Sequence, residues 1–182
     1  MKLNIIGASV VSALLFSAAA SAADPVIVNG GTVHFTGELV NAACAVSTES
    51  SNQTVELGQY RTAKLAASGD MTTPVPFKIK LVDCDPAVSA TAAVAFAGQS
   101  MDGDATLLAV NSGTNAPAAQ NVGIQISDST SAILSPNGSK FSAAKTLNEG
   151  TNVLDFSARY VAKGATTPGQ ANADATFVVK YE

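Results

Sequence analysis

Few side chains in this sequence have types and spacing suited to chemistry. Its 182 residues hold one histidine, His34, and two cysteines, Cys44 and Cys84. Nucleophilic hydrolysis would need a serine or cysteine with a histidine and an acid in reach, and the G-x-S-x-G elbow is absent. A zinc or copper centre would need several His, Cys, Asp or Glu at ligand spacing, and a lone histidine argues against it. Two acidic pairs, Asp83 and Asp85 in "DCDP" and Asp102 and Asp104 in "MDGDA", start like calcium loops. Neither continues into a full ligand set, so both are expected to be solvated turn residues. The sequence therefore predicts no catalysis, no metal, no other cofactor and no small-molecule substrate.

The cysteines point to a compartment. Residues 1–22 combine a basic start (Lys2), the apolar run "IIGASVVSALLF" and small residues ending in Ala20 and Ala22, the pattern of a secretory signal peptide cleaved after Ala22. The apolar run falls short of the roughly 20 residues that span a bilayer, so the product is expected to be exported and soluble. In an exported chain an even cysteine pair is most simply one disulfide. Closing a loop of this length removes roughly 4 kcal/mol of unfolded-state entropy in the chain-entropy picture. Free thiols serving as ligands or as a redox pair would want closer spacing and further Cys or His partners.

Charge excludes another class. The chain carries 10 basic and 14 acidic residues, and removing Lys2 with the leader deepens the net charge from -4 to -5. The only arginines are Arg61 and Arg159. With no basic run and no aromatics interleaved with arginine, nucleic acid is not an expected partner.

The elements that must position these residues are strands. Period-two alternation and β-branched runs predict strands at 32–46, 53–59, 75–84, 91–97, 121–127, 152–162 and 173–181, with shorter ones at 106–110 and 130–134. Turn-rich clusters such as "SGD", "NSGTNAP", "SPNGS" and "NEGTN" separate them, and the one helical turn expected is 61–69. Short strands between turns, without alternating helices, predict a single antiparallel β-sandwich. Two ends of this pattern conflict with a complete sandwich. Val33, Phe35 and Gly37 alternate against His34, Thr36 and Glu38 at a terminus, where chains usually fray. At the other end Ala173, Ala175, Phe177, Val179 and Tyr181 alternate almost to the last residue, and no strand follows to cover that edge. A surplus strand at one end and a missing one at the other suggest that one copy completes the next, a head-to-tail contact that builds a fibre.

At these residues the chain resembles the chaperone–usher pilins, most closely the major subunits of type 1 fimbriae. The features that carry the resemblance are "NGGTVHFTGELVNAACAV", the cysteine pair about forty residues apart, Gly169 as the fourteenth residue from the C-terminus, and the penultimate Tyr181. Strand addition to an open sheet edge is a recognised binding mode, with chaperone–pilin complementation an established example. The resemblance implies an incomplete immunoglobulin-like sandwich lacking its last strand. It implies a signal peptide (1–22), a donor extension (23–37) and a pilin domain (38–182). Residues Ile27, Asn29, Gly31, Val33, Phe35 and Gly37 would face a neighbour's groove, while His34 and Thr36 face outward. Gly169, Ala173, Ala175, Phe177, Val179 and Tyr181 would form the chaperone-recognition and acceptor-groove motif. The implied partners are identical subunits, a periplasmic chaperone, an outer-membrane usher and minor tip pilins, and the implied location is the fimbria on the cell surface. A minor adaptor pilin and a self-complemented module that never polymerises remain alternatives. A tip adhesin would need a further lectin domain.

Overall fold

A computed structural model describes residues 26–112 and 116–182, so the predicted signal peptide lies outside the described residues. The chain separates into two units, Met1–Glu38 and Leu39–Glu182. In the first, residues 26–38 are irregular and exposed throughout.

Among its described residues the second unit has ten strands: β1 (Ala45–Val46), β2 (Val75–Cys84), β3 (Thr91–Gly98), β4 (Ser100–Met101), β5 (Asp104–Ala109), β6 (Val122–Asp128), β7 (Ile133–Leu134), β8 (Lys145–Thr146), β9 (Gly150–Ala162) and β10 (Ala175–Tyr181). One sheet runs β1-β2-β9-β6-β5-β4 with β7 also on β6; the other runs β10-β3-β8. Every strand pair within them is antiparallel.

Alternation decides which faces meet. In the β2–β9 ladder Phe77 opposes Phe156 and Ile79 opposes Leu154; in β6–β9 Ile124 opposes Tyr160 and Ile126 opposes Ala158. From the other sheet, Phe177 opposes Phe96 and Val179 opposes Val94. The two inner faces interdigitate through Phe96, which stands edge-on to Phe77 and Phe156 at ring distances of 5.9 and 5.2 Å. Such pairs add about 0.5–1.5 kcal/mol each beyond the area they bury. Asn152 lies in the same buried layer, and it exchanges hydrogen bonds with the backbone of Asn148, donating Nδ2–H to the carbonyl and accepting from the amide.

Several expected elements are absent or shorter. Of the strand predicted at 32–46 only Ala45–Val46 forms, and 53–59 forms none. Both stretches alternate correctly, but a strand also requires a partner for its backbone, and apart from Ala45–Val46 neither finds a ladder among the described residues. The turn predicted at 61–69 narrows to a 3₁₀ helix at Thr62–Leu65, and a short helix α1 at Thr48–Ser51 was not expected. Strand 130–134 shrinks to β7, because Asp128 ties Thr130 and Ala132 into a turn.

Candidate strand-binding groove

Among the described residues, strand β10 has β3 on one side and no strand on the other. Its unpaired edge and segment 50–57, the end of α1 and the irregular stretch after it, form the two walls of a groove of about 1200 Å³. Ile79, Phe96, Ile124, Ile126 and Ala158 form its floor, with Phe77 and Tyr160 beside them, and Ala173, Ala175 and Phe177 stand on the β10 wall. The volume exceeds the roughly 300–1,000 Å³ of small-molecule sites. Its lining sets apolar side chains of the core beside the unpaired edge of β10, which suits an added strand.

Segment 50–57 is a wall without a ladder. Val55 and Leu57 turn half-buried toward the groove while their neighbours are exposed. Gln53 Nε2 donates to the Lys78 carbonyl at 3.1 Å, and Lys80 N–H donates to Ser50 Oγ at 2.9 Å, holding the segment near β2. Two phenols fasten the opposite wall. Tyr160 OH donates to the Ala171 carbonyl at 2.9 Å, and Tyr181 OH donates to the Cys44 carbonyl at 3.1 Å. Burial raises the pKa of both phenols, and nearby Tyr60 and Glu56 add to the effect at Tyr160. Both therefore remain neutral donors at physiological pH.

The sequence matches the family model described as "Fimbrial protein" over residues 33–182. The chain belongs to the fimbrial protein family. It is 58% identical to the type-1 fimbrial protein A chain of Salmonella typhi, with both chains covered in full. Among solved structures it is similar to a subunit of a chaperone–usher pilus studied for rod uncoiling (30% identity, TM-score 0.71, 87% of this chain and 99% of that one). It is also similar to the P pilus rod subunit PapA (26% identity, TM-score 0.66, 78% and 100% covered). The fold of this fimbrial chain is the incomplete immunoglobulin-like sandwich of those pilus subunits.

The residues singled out in the sequence take three positions. Cys44 and Cys84 form a disulfide, with Cα atoms 4.1 Å apart, that ties the start of β1 to the end of β2. Ile27, Asn29, Gly31, Val33, Phe35 and Gly37 all lie in the exposed stretch, with Ile27 94% and Phe35 91% exposed. Of the C-terminal set, Ala173, Ala175 and Phe177 line the groove, whereas Val179 and Tyr181 pack against the core and Gly169 lies outside the lining.

Gly169 has a packing reason of its own. A Cβ there would sit 2.5 Å from Ala119 N and 2.7 Å from both Ala118 C and Pro117 O. Only glycine lets residue 170 bond to both 117 and 119, its N–H donating to the Pro117 carbonyl and its carbonyl accepting from Ala119 N–H. Sequence reading missed Tyr160 and the 50–57 wall, for neither carries a local signal of the groove. Of the acidic pairs, Asp85 and Asp102 are the solvated turn residues expected and Asp83 is exposed at the end of β2, whereas Asp104 is drawn into side-chain contacts. Asp104 accepts hydrogen bonds from Lys163 Nζ and Thr106 Oγ1, which lower its pKa to about 2. Asp85 closes a turn by accepting from Ala87 N–H.

Proposed function

We propose that this chain is the repeating rod subunit of an adhesive fimbria, and that residues 23–37 of each copy fill the groove of the next. The observation that carries the reading is the presence, in one chain, of an apolar-lined groove along an unpaired strand edge and of an exposed stretch, 26–37, that has no ladder among the described residues. Burying Ile27, Val33 and Phe35 contributes roughly 1.5–3 kcal/mol each as an upper estimate, and each backbone hydrogen bond formed along β10 adds about 0.5–1.5 kcal/mol. Before assembly the same edge is the surface that a periplasmic chaperone would cover, and an outer-membrane usher would then exchange the chaperone for the next subunit. Minor tip pilins would terminate the rod, and the fimbria would stand on the cell surface after cleavage of residues 1–22. Its activity is structural: chain-to-chain joining, with no substrate turned over.

The test uses a chain truncated before Glu38 and a synthetic peptide of residues 26–37. A peptide that binds only the folded chain, at about 100 times its Kd, raises stability by about 2.7 kcal/mol. The melting temperature should rise with the native peptide. It should rise less with a Gly37→Leu peptide, because overpacking costs about 1–3 kcal/mol. Equal melting temperatures with and without the native peptide would sink the reading, while equal effects of the two peptides would sink only the placement of Gly37.

A further inference from the structure

The sequence contains two Asn-Gly pairs, Asn29-Gly30 and Asn137-Gly138, and the fold treats them oppositely. In both, the asparagine carbonyl oxygen accepts the amide two residues on: Gly31 N–H donates to Asn29 Oδ1 at 3.2 Å, and Ser139 N–H to Asn137 Oδ1 at 3.0 Å. Both asparagine side chains are thus held by the same local turn. The neighbouring backbone nitrogens differ. Gly138 N–H donates to the Phe96 carbonyl at 2.8 Å, and Asn137 is bridged to Ala97 beside β3. Gly30 N–H has no acceptor among the described residues, and no atom approaches within 4 Å of where a Gly30 side chain would begin.

We propose that Asn29 is a site of spontaneous deamidation that ages the free subunit and is silenced at Asn137 by the fold. The Gly30 nitrogen attacks Asn29 Cγ, forming a C–N bond as the Cγ–Nδ2 bond breaks, and ammonia leaves with the proton that Gly30 gives up. Water then opens the resulting five-membered imide at either carbonyl, leaving aspartate or isoaspartate. No oxidant, reductant or enzyme is required. Glycine is the neighbour that permits ring closure most readily, because no side chain crowds the attacking nitrogen.

The consequence rests on the donor-strand reading. Isoaspartate routes the main chain through the former side chain, adding a backbone carbon between Ile27 and Val33. The period of two breaks there, so Ile27 and Val33 can no longer face the same side. Aspartate keeps the register but adds a charge to a residue expected to face an apolar groove, which is costly to bury unpaired. Insertion, in turn, engages the Gly30 region in a neighbour and arrests the reaction, so that only unassembled subunits age.

The experiment incubates the purified full chain at mildly alkaline pH and follows both sites by peptide mass spectrometry, with isoaspartate identified by its altered fragmentation. Asn29 should convert at least roughly tenfold faster than Asn137, the ratio being set by the free energy needed to open the Gly138 hydrogen bond. Gly30→Ala should slow conversion at position 29 and leave Asn137 unchanged. Equal rates at the two sites, or an Asn29 that stays intact, would overturn the proposal. A second arm compares polymerisation of aged wild type with equally aged Gly30→Ala chain, and follows Asn29 in assembled fibres. Loss of assembly in aged wild type alone, with Asn29 preserved in fibres, is the expected outcome. Undiminished assembly of converted chains would refute the functional consequence. Failure of fresh chains to assemble would refute the donor-strand reading and leave the two-site rate comparison to judge the chemistry.

Discussion

At Gly169 the fold depends on the lack of a side chain. Gly169→Ala should force the 117–119 and 169–170 segments apart and destabilise the domain by about 1–3 kcal/mol, visible as a lower melting temperature. Gly37→Ala should leave the chain's own melting temperature unchanged, because nothing lies within 4 Å of that position. If Gly169→Ala melts like wild type, the close approach is not a constraint and recognition by a partner is the better account of that glycine. Asp128 is the opposite case, a buried carboxylate that gathers four hydrogen bonds, three on Oδ1 and one on Oδ2. It accepts from Thr130 N–H and Oγ1–H, from Ala132 N–H and from Ala143 N–H. Burial on its own would raise the pKa of this carboxyl, but those donors together outweigh it and hold the pKa below the ordinary 3.8. A depressed folded-state value means that the stabilisation is complete above the ordinary pKa and is lost as pH falls through the lowered one. Asp128→Asn should therefore cost about 1–3 kcal/mol at neutral pH, since its amide cannot accept from all four donors. That deficit should shrink in denaturant titrations carried to pH values below about 4. A deficit that is the same at both pH values would show that the charge of Asp128 contributes nothing.

At the scale of the element, legibility followed whether a segment finds its partner within its own chain. The stretches 75–84, 91–97 and 152–162 were readable because alternation and β-branching agree with ladders that the chain itself supplies, as β2, β3 and β9. Segments 32–44 and 53–59 carry the same alternation, yet in the single chain they remain irregular. Their pattern describes which side chains would be buried, and hydrogen-bonded pairing is a separate condition. The two-residue strands β4 and β8 had no signature at all, since two residues cannot display a period. The helix α1 spells "TESS", a sequence equally suited to a turn, and tertiary contact settles it: Ser50 is buried and its hydroxyl accepts from Lys80 N–H. The disulfide was legible because only two cysteines exist. The groove was legible only through the alternation of 173–181, which marks a strand with a face to cover; that β10 has one free edge is a fact of the fold. Its opposite wall and the Tyr160 clasp depend on residues far apart in sequence.

At the scale of the whole molecule, the proposed donor and acceptor are different surfaces, so the association proposed is heterologous, and it builds a fibre where the rotation between copies does not close. That geometry can be taken apart with two variants. Phe35→Asp puts a charge on the donor stretch, where the side chain is exposed in the single chain and its own fold should not suffer. Ala173→Phe places bulk on the β10 wall of the groove, so the variant can donate but not accept. Each variant alone should stay monomeric by analytical ultracentrifugation. Mixed in equal amounts, they leave one productive joint, the intact extension of Ala173→Phe in the intact groove of Phe35→Asp, and the mixture should stop at dimers. Melting curves of both variants establish that each is folded before mixing. Oligomers beyond dimers in the mixture would require a second self-complementary surface. A mixture that stays monomeric while wild type polymerises would mean that one of the altered residues serves both surfaces, contrary to the separation of extension and groove on which the head-to-tail fibre depends.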